Sequence, residues 1–341
     1  MGMDALKKPG QFMAAEIPEA PGVFVRGVSQ LIGQDCNDLG LCDARAFYTV
    51  ARGSSDAAAL VLAYEFMARL RVPATSLPPS VFSIGPGVDL NGSNVLVISQ
   101  SGASDDLVRS ARGARASGAS VLALTNVSGS PVEDAADVTV PIGAGVERAV
   151  PATKTVIGSI AAGMALLGAI DEGYRAACEH AAAVFDELGA ETQHPEAGKI
   201  ASELLRAQHV YVIGRGGGFG AAQEVALKLK ETCALHAEAY SASEVLHGPL
   251  QLVSKPLMIL MLDTEDPATA ASMDEAESRF RAAGATVRRV RASEFGAGGM
   301  CPAAASAALL FALYPIILSV ALSLGFDPDA PANLAKVTRT A

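Results

Sequence analysis

The chain has 341 residues, half of them hydrophobic. That is enough length for about two domains and enough apolar surface for a substantial core, which excludes a disordered state. Its formal net charge of −10 argues against the clustered Lys and Arg that nucleic acid or an anionic membrane surface demands, so neither is expected as a partner. A small anionic substrate stays compatible, because amide and hydroxyl donors act locally whatever the global charge.

From the N-terminus, Met1 to Gln11 carries Lys7 and Lys8 with no apolar h-region behind them, so no secretory signal is expected. Apolar strand-like runs then alternate with Ala-rich helical ones: Ala46 to Val50, Asp56 to Arg69, Asn94 to Ile98, Asp105 to Ser117, Ser120 to Leu124 and Val138 to Ile142. This is the rhythm of an α/β fold with a parallel sheet covered on both faces. Ala152 to Leu188 reads as mainly helical, Gln193-His194-Pro195 as a break, Lys199 to Ala207 as a helix, and a second α/β series begins at Val210. Cys301 to Gly325 is free of charge and long enough to cross a bilayer, but its small residues and Pro315 suit a buried helix, which is the expectation. The five cysteines, at 36, 42, 178, 233 and 301, show no C-x-x-C spacing and their odd number leaves at least one thiol unpaired; a reducing, cytoplasmic setting fits them.

The two series read as copies. Tyr48 to Ser55 aligns with Tyr211 to Gly218, each a strand entering a small-residue turn before an Ala-rich helix, and Val95 to Ile98 matches Leu257 to Leu260. The copies differ in chemistry. After Ile98 come Ser99-Gln100-Ser101-Gly102-Ala103-Ser104 at the start of a helix, where unpaired N–H groups, the positive end of the macrodipole and neutral side-chain donors make a phosphate cradle. Taken alone, the same residues could be a serine-rich N-cap. The second copy has Met261-Leu262-Asp263-Thr264-Glu265-Asp266 there, whose carboxylates would repel phosphate, so only the first half is expected to hold it. Gly216, Gly218 and Ala221 match a dinucleotide-binding spacing, but no acidic residue ends a following strand, and that reading is set aside.

Further on, Glu224, Lys228 and Glu231 fall on one helix face at i, i+4 and i+7, a pattern that is usually a solvated ion-pair stripe. The run from His236 through Glu238, Tyr240 and Glu244 to His247-Gly248-Pro249 is dense in titratable groups that no packing pattern explains. The His and Cys spacing offers no metal-ligand set, and no cofactor is expected.

Together these blocks resemble the sugar isomerase (SIS) domain family, in particular the paired SIS domains of the isomerase half of glucosamine-6-phosphate synthase and SIS-type glucosamine-6-phosphate deaminases. The resemblance runs through Met13 to Pro21, Gly53 to Ser55, Ser99 to Gly102, Glu147 to Lys154, Ala226 to Glu231, His236 to Tyr240, His247 to Pro249 and Asn333 to Lys336. It implies two SIS domains related by duplication: an N-terminal arm (1–30), a phosphate-binding domain (31–192), a domain with the catalytic helix (193–325), and a tail closing on the site (326–341).

By the same resemblance, Ser99, Gln100, Ser101 and Ser104 are phosphate donors, Ser55 lies near the sugar, and Val150 and Ala152 contact substrate. Glu231 is the base moving a proton between C1 and C2, with Lys228 its neighbour. His247 opens the ring from the adjacent subunit of a homodimer, and Lys336 engages the open-chain sugar, imine formation being open to its amine. The residue types suit this chemistry, since a His near neutral pKa can shuttle the ring proton and an amine on a short tail can attack a carbonyl. Glu231 serves only if partial burial lifts its pKa from roughly 4.3 toward neutrality, against the pull of Lys228.

Ala103 and Ala152 stand where the family often has Glu and Ser, which puts substrate identity in question. The chain begins about where the isomerase half does, so a glutaminase domain is not expected, nor glutamine as direct nitrogen donor. The expected reaction is therefore conversion of glucosamine 6-phosphate to fructose 6-phosphate and ammonia. The alternatives are an aldose–ketose phosphosugar isomerase, a fructosamine-phosphate deglycase, or a non-catalytic sugar-phosphate sensor.

Overall fold

The computed structural model describes residues 8–334 and 336, apart from positions 32, 38, 40, 42 and 255. Parts of the expected arm and tail (1–7, 335, 337–341), and Cys42, lie outside these residues. In chain order the helices are α1 (Gln11–Glu16), α2 (Ala20–Ser29), α3 (Ser54–Leu70), α4 (Ser80–Ser83), α5 (Asp105–Ala116), α6 (Lys154–Ile170), α7 (Arg175–Leu188), α8 (Ala197–Arg206), α9 (Gly218–Cys233), α10 (Ala270–Ala282) and α11 (Pro302–Ser323). The strands are β1 (Phe47–Val50), β2 (Ala74–Ser76), β3 (Asn94–Ser99), β4 (Ser120–Thr125), β5 (Val138–Pro141), β6 (His209–Gly214), β7 (His236–Ser241), β8 (Leu257–Asp263) and β9 (Thr286–Arg291).

Two all-parallel sheets result, ordered β2-β1-β3-β4-β5 and β7-β6-β8-β9. All residues of β3 and of β8 are buried, as expected for central strands covered by helices on both faces. The orders support the duplication directly. β1 and β6 are each flanked by the strand that follows them and by the next, and each runs into a helix, α3 or α9. In both sheets the order reverses beside the first strand, which is where ligands of open α/β sheets bind, outside the carboxyl ends.

The halves meet through α3 and α9, and that crossing places the site. A Cβ at Gly220 of α9 would sit 2.6 Å from Val61 Cγ2 and 2.7 Å from the Ala57 carbonyl oxygen of α3, so only glycine lets the backbones approach this closely. The charge-free segment forms α11, which is apolar and long enough to span a bilayer but is buried against α3, α6, α8 and α9. It is a core helix, as its small residues suggested. Helix α6 is buried from Lys154 to Ala169, with the ammonium of Lys154 paired to Glu19 at 2.7 Å.

Some sequence expectations need correction. The second central strand continues past Leu260 to Asp263. The run of titratable groups that no packing pattern explained begins as strand β7, His236 to Ser241, in register with His209 to Gly214. Cys36 is disulfide-bonded, contrary to the reading of reduced thiols, whereas Cys178, Cys233 and Cys301 are free.

Candidate active site

At the carboxyl ends of β1 and β3 lies a cavity of about 370 Å³ lined by Arg52, Ser55, Ser99, Gln100, Ser101, Ser104, Asp106, Val150, Glu231 and Lys336, among others. Eight residues expected to form a site thus share one wall: Ser55, Ser99, Gln100, Ser101, Ser104, Val150, Glu231 and Lys336. The serine loop turns sharply at Gly102, which has φ of +59°; a Cβ there would overlap Ser130 Oγ at 2.1 Å. The Gly102 amide donates to Ser99 Oγ (3.0 Å) and the Ala103 amide to Ser101 Oγ (3.3 Å), so the hydroxyls shape the loop they belong to. Ser104 is the N-cap of α5, and no side-chain cap occupies that helix terminus.

Glu231 is brought in from α9 of the other half. Its Oε2 accepts from Lys228 Nζ at 2.6 Å, and the same ammonium donates to Ser54 Oγ at 2.8 Å and lies 3.4 Å from Glu224. Lys228 therefore stands behind the wall instead of lining it. The stripe is not solvated: the Glu224 and Lys228 side chains are 0% and 1% exposed, and only Glu231, at 26%, reaches the opening. Burial pushes the Glu224 carboxyl up to about 7, against the opposing pull of Lys228, while Glu231 adds to the rise. Burial alone would lower Lys228, but the two carboxylates outweigh it and the net shift is upward.

Lys336 docks on the segment before α6. Its ammonium donates to the Ala149 carbonyl (2.6 Å) and to Glu147 Oε2 (3.3 Å), and Glu147 Oε1 also accepts from the Thr153 (2.9 Å) and Thr155 (3.1 Å) amides. Glu16 of α1 accepts from the Arg148 and Ala149 amides. Helix α1, the 147–155 segment and Lys336 are thus tied into one rim.

Two expected residues stand apart. Ala152 is half-buried and off the cavity wall. His247 lies in another cavity of the same chain, with Leu246, Gly248 and Gln251. Arg52, Asp106 and Glu147 were missed as site residues, although Arg52 sits just before the Gly-Ser-Ser turn; its charge was the available signal.

The second half has a counterpart cavity of about 410 Å³ lined by Gly216, Gly217, Asp266, Glu65 and Ala68, among others. The offset that pairs Tyr48 with Tyr211 also pairs Glu65 with Lys228 and Ala68 with Glu231, so this cavity lacks the carboxylate–ammonium pair. The expected repulsive carboxylates are largely committed elsewhere: Asp263 to Arg289 (2.8 Å) and Glu265 to the Ser293 amide and hydroxyl (both 2.7 Å).

Two parallel-sheet halves sharing one cavity between the serine loop of the first and a helix of the second define a class of duplicated α/β folds. The SIS domain profile matches residues 40–169 and 203–288, and the chain belongs to the SIS domain family. It is 33% identical over 344 residues to the glutamine–fructose-6-phosphate aminotransferase of Pyrobaculum aerophilum, covering 95% of this chain and 57% of that protein. The Mycobacterium tuberculosis enzyme of the same name is 31% identical over 357 residues, with 95% and 57% covered. The chain thus spans little more than half the length of these relatives.

Among solved structures, a protein of Silicibacter pomeroyi provisionally described as a phosphosugar isomerase is 32% identical with a TM-score of 0.80, covering 93% of this chain and 99% of that one. The same fold occurs in the C-terminal domain of the glucosamine-fructose-6-phosphate aminotransferase of Francisella tularensis (24% identity, TM-score 0.84, 97% and 100% covered). It also occurs in a glucosamine-6-phosphate deaminase of Thermotoga maritima (20% identity, TM-score 0.73, 97% and 100% covered).

Proposed function

We propose that this chain is a phosphosugar isomerase acting on an aminosugar phosphate, converting glucosamine 6-phosphate to fructose 6-phosphate and ammonia. The observation that carries the reading is the shared cavity: the serine loop, Glu231 and Lys336 all open onto one space of about 370 Å³. In this reading Ser99, Gln100, Ser101, Ser104 and the α5 terminus hold the phosphate, with Ser55 and Val150 against the sugar. His247 of a second subunit opens the ring. Glu231 takes the proton from C2 of the open-chain aldose and returns it to C1, leaving an imine at C2; water adds there and ammonia leaves. Lys228 steadies the developing enediolate-type charge from behind Glu231, and Lys336 closes the rim over the open chain.

The test is incubation of the purified protein with glucosamine 6-phosphate, assaying ammonia and fructose 6-phosphate together. Both products in equal amounts are expected. A ketose formed without ammonia from a hexose phosphate identifies a plain aldose–ketose isomerase, and release from a phosphorylated fructosyl-amine alone identifies a deglycase. Binding with no product at all leaves a sensor and overturns the enzyme reading.

A further inference from the structure

Arg52 has no role in this scheme, yet among the described residues on the cavity wall it and Lys336 are the two cations. We propose that Arg52, held by Asp106, is the charged group that grips the phosphate and sets the preference for phosphorylated over free sugars. The proposal rests on the reading of this cavity as a sugar-phosphate site.

The donors of the serine loop are neutral, and the first turn of α5 carries two carboxylates, Asp105 and Asp106, beside the place where an anion would sit. Asp105 is exposed and ion-paired with Arg109 one turn along the helix. Asp106 is 2% exposed and faces Arg52, whose Nε donates to its Oδ2 at 2.6 Å and whose Nη2 contacts the same oxygen. That pairing offsets the buried charge of Asp106 on the cavity wall and uses one edge of the guanidinium. A guanidinium is a planar fork with five N–H donors, so fixing one edge aims the other. The Arg52 side chain is 51% exposed, and the donors left over are those of a group matched to phosphate geometry.

The duplication supplies an internal contrast. Arg215 occupies the Arg52 position of the second half, but its Nη1 donates to Ser241 Oγ (2.8 Å) and Ser243 Oγ (2.6 Å) at the end of β7. It is absent from the wall of the counterpart cavity. The same residue at the same turn faces a ligand space only in the half that has the serine loop.

The test is a binding titration of the full chain with glucosamine 6-phosphate, inorganic phosphate and free glucosamine, in wild type, Arg52→Gln, Arg52→Lys and the double variant Arg52→Gln/Asp106→Asn. Arg52→Gln is expected to weaken both phosphate-bearing probes about ten- to a hundredfold, the scale of hydrogen bonds to a charged group, and to leave free glucosamine unchanged. Arg52→Lys restores part of the loss. Because the single variant bares a buried carboxylate, the double variant serves as the folded control: its unfolding midpoint recovers while its phosphate affinity stays low. Unchanged phosphate affinity in either Gln variant, or an equal loss for free glucosamine, overturns the proposal. If wild type itself binds neither phosphate-bearing probe, the sugar-phosphate reading fails first and this proposal with it.

Discussion

The Lys228 ammonium lies 2.6 Å from Glu231 Oε2 while its own side chain is 1% exposed, so the one carboxylate that reaches the cavity from α9 is tethered from inside the protein. This pair ties the chemistry of the opening to a buried network that includes Ser54, Glu224 and Tyr314.

Replacing Glu231 by Gln removes the base but keeps the shape of the wall. Turnover of glucosamine 6-phosphate should fall below detection while the ligand dissociation constant stays within a few-fold of wild type. Persistent turnover would move the base elsewhere.

The cradle makes a separate prediction. Ser99→Ala with Ser101→Ala removes two hydroxyls and the loop hydrogen bonds they accept. Affinity for the phosphate ester should fall by about 2–3 kcal/mol, as measured by calorimetric titration. Unchanged affinity would exclude the serine loop as the anion site.

Stability should depend on pH through Glu224. Its folded carboxyl is raised from 4.5 to about 7, so the native state holds this proton more tightly than the unfolded chain does. The contribution is complete below about pH 4.5 and is lost as pH rises through about 7, an effect of up to about 3 kcal/mol. Denaturant unfolding at pH 5 and pH 8 should therefore show a larger drop for wild type than for Glu224→Gln. Equal drops would refute the assignment.

Lys336 is tested chemically. If its amine forms an imine with the open-chain sugar, borohydride added during turnover should attach the sugar covalently at Lys336, detected by peptide mass spectrometry. The adduct should be absent in Lys336→Ala. Labelling at another lysine would assign the imine there.

The α3–α9 crossing is predicted to be intolerant of bulk. Gly220→Val places carbon against Val61 and the Ala57 carbonyl, and backbone cannot yield as a side-chain end can. A loss of about 2–3 kcal/mol in unfolding free energy is expected, together with reduced turnover, because the same crossing seats Glu231. A neutral outcome would mean that the helices can separate without cost.

Strands such as Asn94–Ser99 and Ser120–Thr125 were legible because they are buried on both faces and read as unbroken apolar runs. Strand β7 was not, because an edge strand rich in His, Glu and Tyr carries no such run. The long helical stretch divides at Asp171, whose side chain accepts from the Gly173 amide to start a new turn, a local exchange hidden inside a broader apolar pattern.

By itself the sequence determined the duplicated α/β plan and the serine-rich turn that opens α5, because strand and helix periodicity and the small residues of a tight turn are written in consecutive positions. Only the tertiary structure decided that Glu224 and Lys228 are buried instead of solvated, that Arg52 and Arg215 face different neighbours, and that His247 and Glu231 line different cavities of one chain. Those outcomes depend on which helix covers a face and which strand lies next to a turn, and the energy of a charge is set by those neighbours, not by its place in the chain.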